Sequence, residues 1–128
     1  MFQLWGNLAP PMKIGIAQIN SVVGDFPGNA KRLIAAYREC IDQGAELVIS
    51  PELSLVGYPP RDLVFKSSFV PKCLQALDYL AEEIREIPML VGYVDHHHPR
   101  RSPRLRTLRV SLGEPHGYPA GQRDLFTH

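Results

Sequence analysis

Gly44-Ala45-Glu46-Leu47-Val48-Ile49-Ser50-Pro51-Glu52-Leu53 is the stretch whose reading decides the fold. Gly44 is a natural helix stop, Leu47-Val48-Ile49 is wholly apolar, and Pro51 delivers Glu52 just beyond it. A short apolar run without alternation is expected of a central parallel strand covered on both faces, because both rows of side chains then meet a core. An acid that follows such a strand stands at its carboxyl end, where the sites of open α/β sheets are sought.

Upstream, Lys13–Ile19 alternates apolar residues with small or polar ones and reads as a largely buried strand. In the break that follows, Gly24, Pro27 and Gly28 are loop punctuation, and Asp25 or Asn29 can accept the first N–H groups of a helix. From Ala30 to Gln43, Leu33, Ile34, Tyr37, Cys40 and Ile41 recur at helical spacing, with charged residues around the other face. Downstream, Gly57-Tyr58-Pro59-Pro60 is a rigid turn, and a second helix is predicted over Ser68–Glu86. Its buried stripe is Val70, Leu74, Leu77, Leu80, Ala81 and Ile84, and Pro71 falls in the first turn, where a missing N–H costs little. Met89–Val94 then reads as a third strand. Strand, helix, strand, helix, strand makes two βαβ units, hence an α/β layered sheet.

A chain of 128 residues suits one domain with one core. A net charge of +1 argues against a polyanion binder, since nucleic-acid affinity needs many phosphate-neutralising cations. The average hides an asymmetry: residues 1–95 carry 8 Lys/Arg against 11 Asp/Glu, and residues 96–128 carry 6 Arg, no Lys and 2 acids. Cys40 and Cys73 are too few for a disulfide framework or a four-ligand zinc site, and each is expected to fill a helix face of the core. No apolar run approaches the roughly 18 residues that span a bilayer. The leader MFQLWGNLAPP has neither a basic n-region nor an apolar h-region, so a cytoplasmic location is expected. Met12 opens the first patterned segment. Residues 1–11 are therefore read as a non-native extension, 12–95 as a partial domain and 96–128 as a divergent tail.

A lone Glu in a loop is ordinarily a solvated surface charge. Three details favour a working role for Glu52: Pro51 stiffens its support, apolar Leu53, Leu55 and Val56 would leave it partly desolvated, and Tyr58 on the following turn could wall a pocket.

MKIGIAQIN, VGDFPGNAKR, GAELVISPELSLVGYPPRDL and MLVGYV together resemble the start of a nitrilase-superfamily (carbon–nitrogen hydrolase) domain, from Met12 to about Asp95. GYPPRDL after the PEL motif narrows the resemblance to the N-terminal glutaminase domain of glutamine-dependent NAD synthetases. The resemblance implies an α-β-β-α sandwich, here partial, and a Glu–Lys–Cys catalytic set. In that set a Cys thiolate attacks the glutamine amide, the Glu moves protons and the Lys stabilises the oxyanion. Glu52 matches the general base and Tyr58 is a candidate for the substrate pocket. Glutamine is the implied substrate and a homo-oligomer the implied assembly. ATP and Mg belong to a synthetase domain that amidates nicotinic acid adenine dinucleotide to NAD. No cofactor is expected in this chain, which carries no glycine-rich phosphate loop.

Beyond Asp95 the pattern departs: no Lys follows Lys72 and no Cys follows Cys73, so no residue here takes the nucleophile's place. Adjacent His96, His97 and His98 lack the spaced geometry of a metal site, and the arginines lack aromatic interleaving, so neither metal nor nucleic acid is expected. The tail is read as disordered or translated out of frame, since suitable codons for LRTLRVSLGE, shifted by one nucleotide, give a YAPFAYLWEN-like strand. Without the missing partners the chain is expected to be inactive and to expose apolar sheet surface. The alternatives are a piece of another carbon–nitrogen hydrolase, such as an ω-amidase, or a non-catalytic interaction protein.

Overall fold

The structure, a computed structural model, describes residues 10–95 in full and the backbone of residues 96 and 103–110. Its strands are β1 (Ile14–Ile16), β2 (Leu47–Ile49), β3 (Met89–His96) and β4 (Pro103–Val110), joined in one sheet in the order β1-β2-β3-β4. Helix α1 (Phe26–Asp42) links β1 to β2, and helix α2 (Phe69–Glu83) links β2 to β3. β1, β2 and β3 are parallel, with Gly15 level with Val48 and Val48 level with Met89, as two βαβ units require.

Asp25 decides where α1 begins. Its carboxylate accepts the Gly28 N–H at 3.1 Å, so the helix starts at Phe26 rather than at Ala30. Pro27 and Gly28, expected in the loop, lie inside the first turn. There a proline loses no hydrogen bond, because the first N–H groups of a helix have no intrahelical acceptor. The α2 stripe is Phe69, Val70, Cys73, Ala76, Leu77 and Leu80, with Leu74 and Ala81 at its margin. The segment after the GYPP turn, expected as loop, makes one 3-10 turn over Arg61–Phe65.

Both helices pack on one face of the sheet. Val48, Met89 and Val91 are fully buried beneath them, each such side chain contributing about 1.5–3 kcal/mol. The opposite face is open: Ile14 is 51% and Ile16 74% exposed, and Leu47, Ile49 and Leu90 are half-buried beside them. β2 is therefore central within the sheet but covered on one face, not two, because both crossovers return on the same side. One layer of helices on one sheet is half of the expected α-β-β-α arrangement.

Tyr37 fixes the entry to β3. Its hydroxyl donates to the Ile87 carbonyl at 2.8 Å and accepts the N–H groups of Glu86 and Ile87 at 3.0 and 2.8 Å. Beyond β3, residues 103–110 are a strand antiparallel to it, with Val91 level with Leu108 and Val94 with Leu105. This part of the 96–128 segment, expected to be disordered, is thus ordered by main-chain pairing with β3. The leader up to residue 9, His97, His98 and residues 111–128 lie outside the described residues.

Candidate active site

Glu52 stands where the sequence placed it, on the turn that leaves the carboxyl end of β2. The turn is built by short main-chain bonds: the Ser54 N–H donates to the Pro51 carbonyl at 3.1 Å, and those of Val56 and Gly57 donate to Leu53 at 3.0 and 2.8 Å. Leu53 holds φ at 55°, a strained setting for a non-glycine residue, which persists because its side chain is buried in the core.

Four polar side chains fasten the turn to the sheet and to α1. Ser50 Oγ donates to the Leu90 carbonyl of β3 at 3.0 Å and pairs with Ser54 Oγ at 2.8 Å. Ser21 Oγ donates to the Ser54 carbonyl at 2.6 Å. Asn29, fully buried on α1, uses Nδ2 to donate to the carbonyls of Val22 and Leu55, at 2.8 and 3.0 Å, while its Oδ1 accepts the Val22 N–H at 2.9 Å. One amide thus ties the loop after β1 to the loop after β2, and Asn29 is a loop clamp rather than a helix cap.

Two glycines let backbone meet backbone. A Cβ at Gly92 on β3 would stand 2.7 Å from the Leu53 nitrogen and 3.3 Å from the Glu52 Cα, so the main chain carrying the acid rests directly on the strand. A Cβ at Gly57, where φ is 86°, would stand 2.6 Å from the backbone of Val23.

The side chains around the acid do not enclose it as expected. Leu53, Leu55 and Val56 turn into the core, and Glu52 itself is exposed instead of partly desolvated. The reason is geometric: a turn that buries its apolar residues below must present the intervening acid above. Tyr58 is 74% exposed. Neither it nor Glu52 lines the groove of about 530 Å³ between β1 and α1, or that of about 560 Å³ between α1 and α2.

The Cys73 thiol is sealed in the core, whereas Cys40 lies half-buried on the groove between β1 and α1. Burial pushes the Cys73 thiol from 9.0 up to about 11, with the Asp95 charge adding to the rise and a hydrogen bond involving the Val94 backbone opposing it. Cys40, half-buried on α1, is raised by burial and then by the Glu39 charge. Neither is poised as a thiolate nucleophile. Among the described residues no group of three or more His, Cys, Asp or Glu side chains could hold a metal ion. No helix among the described residues is long and apolar enough to cross a membrane.

The sequence reading found the acid but not Ser21, Ser50, Ser54, Asn29 or Gly92, which hold it. Two signals were available: Ser50 and Ser54 bracket the PEL motif, and a glycine inside a strand marks a close backbone approach.

Comparison with known proteins places this arrangement. The carbon–nitrogen hydrolase family model matches residues 13–108, thus including part of the segment read as a divergent tail. The chain is 41% identical over 86 residues to a glutamine-dependent NAD(+) synthetase from Synechocystis sp., covering 66% of this chain and 15% of that relative. It is 38% identical over 86 residues to the Thermotoga maritima protein of the same name, with the same coverage. Among solved structures, glutamine-dependent NAD+ synthetase from Acinetobacter baumannii aligns with a TM-score of 0.63 at 29% identity, over 68% of this chain and 16% of that one. An amidase from Nesterenkonia sp. shares the fold, with a TM-score of 0.60 at 21% identity over 77% of this chain and 38% of that one. The chain thus spans about 15% of the length of the curated relatives it matches. With a parallel half-sandwich, an acid at the carboxyl end of its second strand and a family match over most of the sequence, this chain belongs to the carbon–nitrogen hydrolase family.

Proposed function

We propose that this chain carries the general-base segment of a glutaminase domain of the kind found in glutamine-dependent NAD synthetases, with Glu52 as the base. The observation that carries the reading is the clamped turn. Glu52 has its main chain laid on Gly92 and its flanking serines bonded to β3 and to each other, so the carboxylate is presented on a fixed support. Rigid presentation of an exposed carboxylate suits proton transfer to and from a substrate brought to it.

In the chemistry proposed, the carboxylate takes a proton from an attacking thiol and returns it to the departing ammonia as the glutamine amide C–N bond breaks. Neither Cys40 nor Cys73 supplies that thiol, since both are packed against the core. The nucleophile and its oxyanion partner are therefore contributed by sequence other than the described residues, and this chain alone is expected not to release ammonia from glutamine.

The test is a chimera. Residues 12–95 replace the matching segment of the Synechocystis synthetase, and glutamine-dependent ammonia release is measured. Support is activity retained by the chimera and lost on Glu52→Gln; a chimera that folds, binds glutamine and turns it over equally well with Glu52→Gln refutes the assignment.

A further inference from the structure

The seam between the two helices carries opposite electrostatics at its two ends. α1 and α2 both return between parallel strands and so run in the same direction, with their starts side by side. There Phe26 meets Phe69 edge to face, ring centroids 5.0 Å apart and planes at 69°. Toward the helix ends the seam is closed by an ion pair, Arg38 to Glu83 at 3.1 Å. Nearer the starts, Lys31 of α1 and Lys72 of α2 both line the groove of about 560 Å³, and no acid lines it.

No group among the described residues neutralises these two lysines. The ion pairs there are Arg32–Asp25 and Arg38–Glu83, so Asp25, next in the chain to Gly24 and Phe26 of the groove, is already engaged by Arg32 at 3.5 Å and by the Gly28 N–H at 3.1 Å. No Asp or Glu stands three or four residues from either lysine on its own helix, and neither helix has an acid in its first turn. Two ammonium groups on the walls of one groove repel each other, and an anion between them turns that repulsion into two attractions.

The lining also specifies what the anion carries. Phe26 and Ala76 are buried and make an apolar floor, Tyr79, 43% exposed, puts a ring on the wall, and exposed Gln75 adds an amide donor. The volume is that of a site for a small molecule. A carboxylate has one charge for two ammonium groups. A phosphomonoester near neutral pH is close to a dianion, with three oxygens to share between both lysines. The floor and the tyrosine suit a flat ring attached to that phosphate.

We propose that the groove between α1 and α2 is a binding site for a small aromatic phosphomonoester, with its phosphate between Lys31 and Lys72 and its ring on Phe26 and Ala76 against Tyr79. Glu52 does not line this groove, and the proposal does not depend on the role of that acid.

An NMR titration of the isotope-labelled full chain tests it, with phenyl phosphate as the probe, inorganic phosphate as the charge without the ring and phenol as the ring without the charge. Saturable shifts are expected at the amides of Lys31 and of Lys72–Tyr79, with phenyl phosphate bound about tenfold more tightly than either control. Lys31→Gln and Lys72→Gln are each expected to raise its dissociation constant about fivefold, while Lys72→Arg, which keeps the charge, stays within about twofold of the parent. Tyr79→Ala is expected to bring phenyl phosphate to the level of inorganic phosphate. All three side chains are exposed, so each variant is expected to keep the parent spectrum away from the groove. The absence of a saturable shift at millimolar phenyl phosphate overturns the proposal. So do shifts that map elsewhere, binding that survives the loss of both lysines, or inorganic phosphate binding as tightly as phenyl phosphate in the parent.

Discussion

Asn29→Ala removes the clamp between the two loops, and its cost can be worked from the bonds lost. The Val22 N–H and carbonyl are part-buried, and Val22 is itself 49% exposed, so water can replace Asn29 there at about 0.5–1.5 kcal/mol for each bond. The Leu55 carbonyl is different: Leu55 is fully buried, and its orphaned acceptor costs about 1–3 kcal/mol. The sum is about 2–6 kcal/mol, a large fraction of the stability of a small domain. Urea unfolding followed by tryptophan-independent far-UV dichroism gives the loss directly. Hydrogen exchange adds the location: the amides of Val22 and Gly24 and those of residues 54–57 are expected to lose protection first. Asn29→Asp keeps the acceptor for the Val22 N–H and for the Arg32 guanidinium, which donates to Oδ1 at 3.2 Å, but cannot donate to the carbonyls of Val22 and Leu55, so it too is expected to lose stability. Stability within about 0.5 kcal/mol of the parent for Asn29→Ala would refute the clamp.

Gly92→Ala drives a methyl into the backbone of Leu53 and Glu52, which cannot swing away as a side chain end could; a loss of about 1–3 kcal/mol is expected in the same urea titration. Cys73 gives a pH signature. Its folded pKa, raised to about 11 from 9.0, stabilises the protein below pH 9, and that contribution is lost as pH rises through about 11. Over that window the parent is expected to lose stability relative to Cys73→Ala, and iodoacetamide at pH 8 should label Cys73 only in denaturant. Ile16→Thr, on the open sheet face where Ile16 is 74% exposed, is expected to change stability by less than about 0.5 kcal/mol while reducing dye binding to exposed apolar surface.

Much of this fold could be read in the sequence because its patterns are local. The helical spacing of Leu33, Ile34 and Tyr37, the Gly44 stop and the apolar Leu47–Ile49 triplet each point to one element, and the structure has all of them. The misses share a cause, which is that tertiary partners decide them. Coverage of β2 depends on which side both helices return, and a three-residue apolar run reads alike whether one face or two are covered. The start of α1 turned on a single cap, Asp25, whose competitor Asn29 was needed elsewhere. β4 was missed because its pairing with β3 is main-chain and its sequence, rich in arginine and opening on a proline, lacks a sustained apolar alternation. At the site, the acid was legible from its place after a strand. Its supports were not, because Ser21, Asn29 and Gly92 come from other parts of the chain and meet Glu52 only in the folded sheet.

The Tyr37 hydroxyl, three bonds at the entrance to β3, acts as a registration pin for the whole platform. Strands that pair through backbone alone can slip, and a slip of one residue exchanges the two rows of side chains. Beneath Glu52 such an error would replace Gly92 with Val91 or Tyr93, putting a side chain into space already filled by the Leu53 nitrogen. By holding Glu86 and Ile87 to α1, a phenol contributed fifty residues upstream of Ile87 counts off the strand so that the one residue without a side chain arrives under the acid. The first helix is in this sense a gauge for the last parallel strand, and the placement of the acid inherits its accuracy.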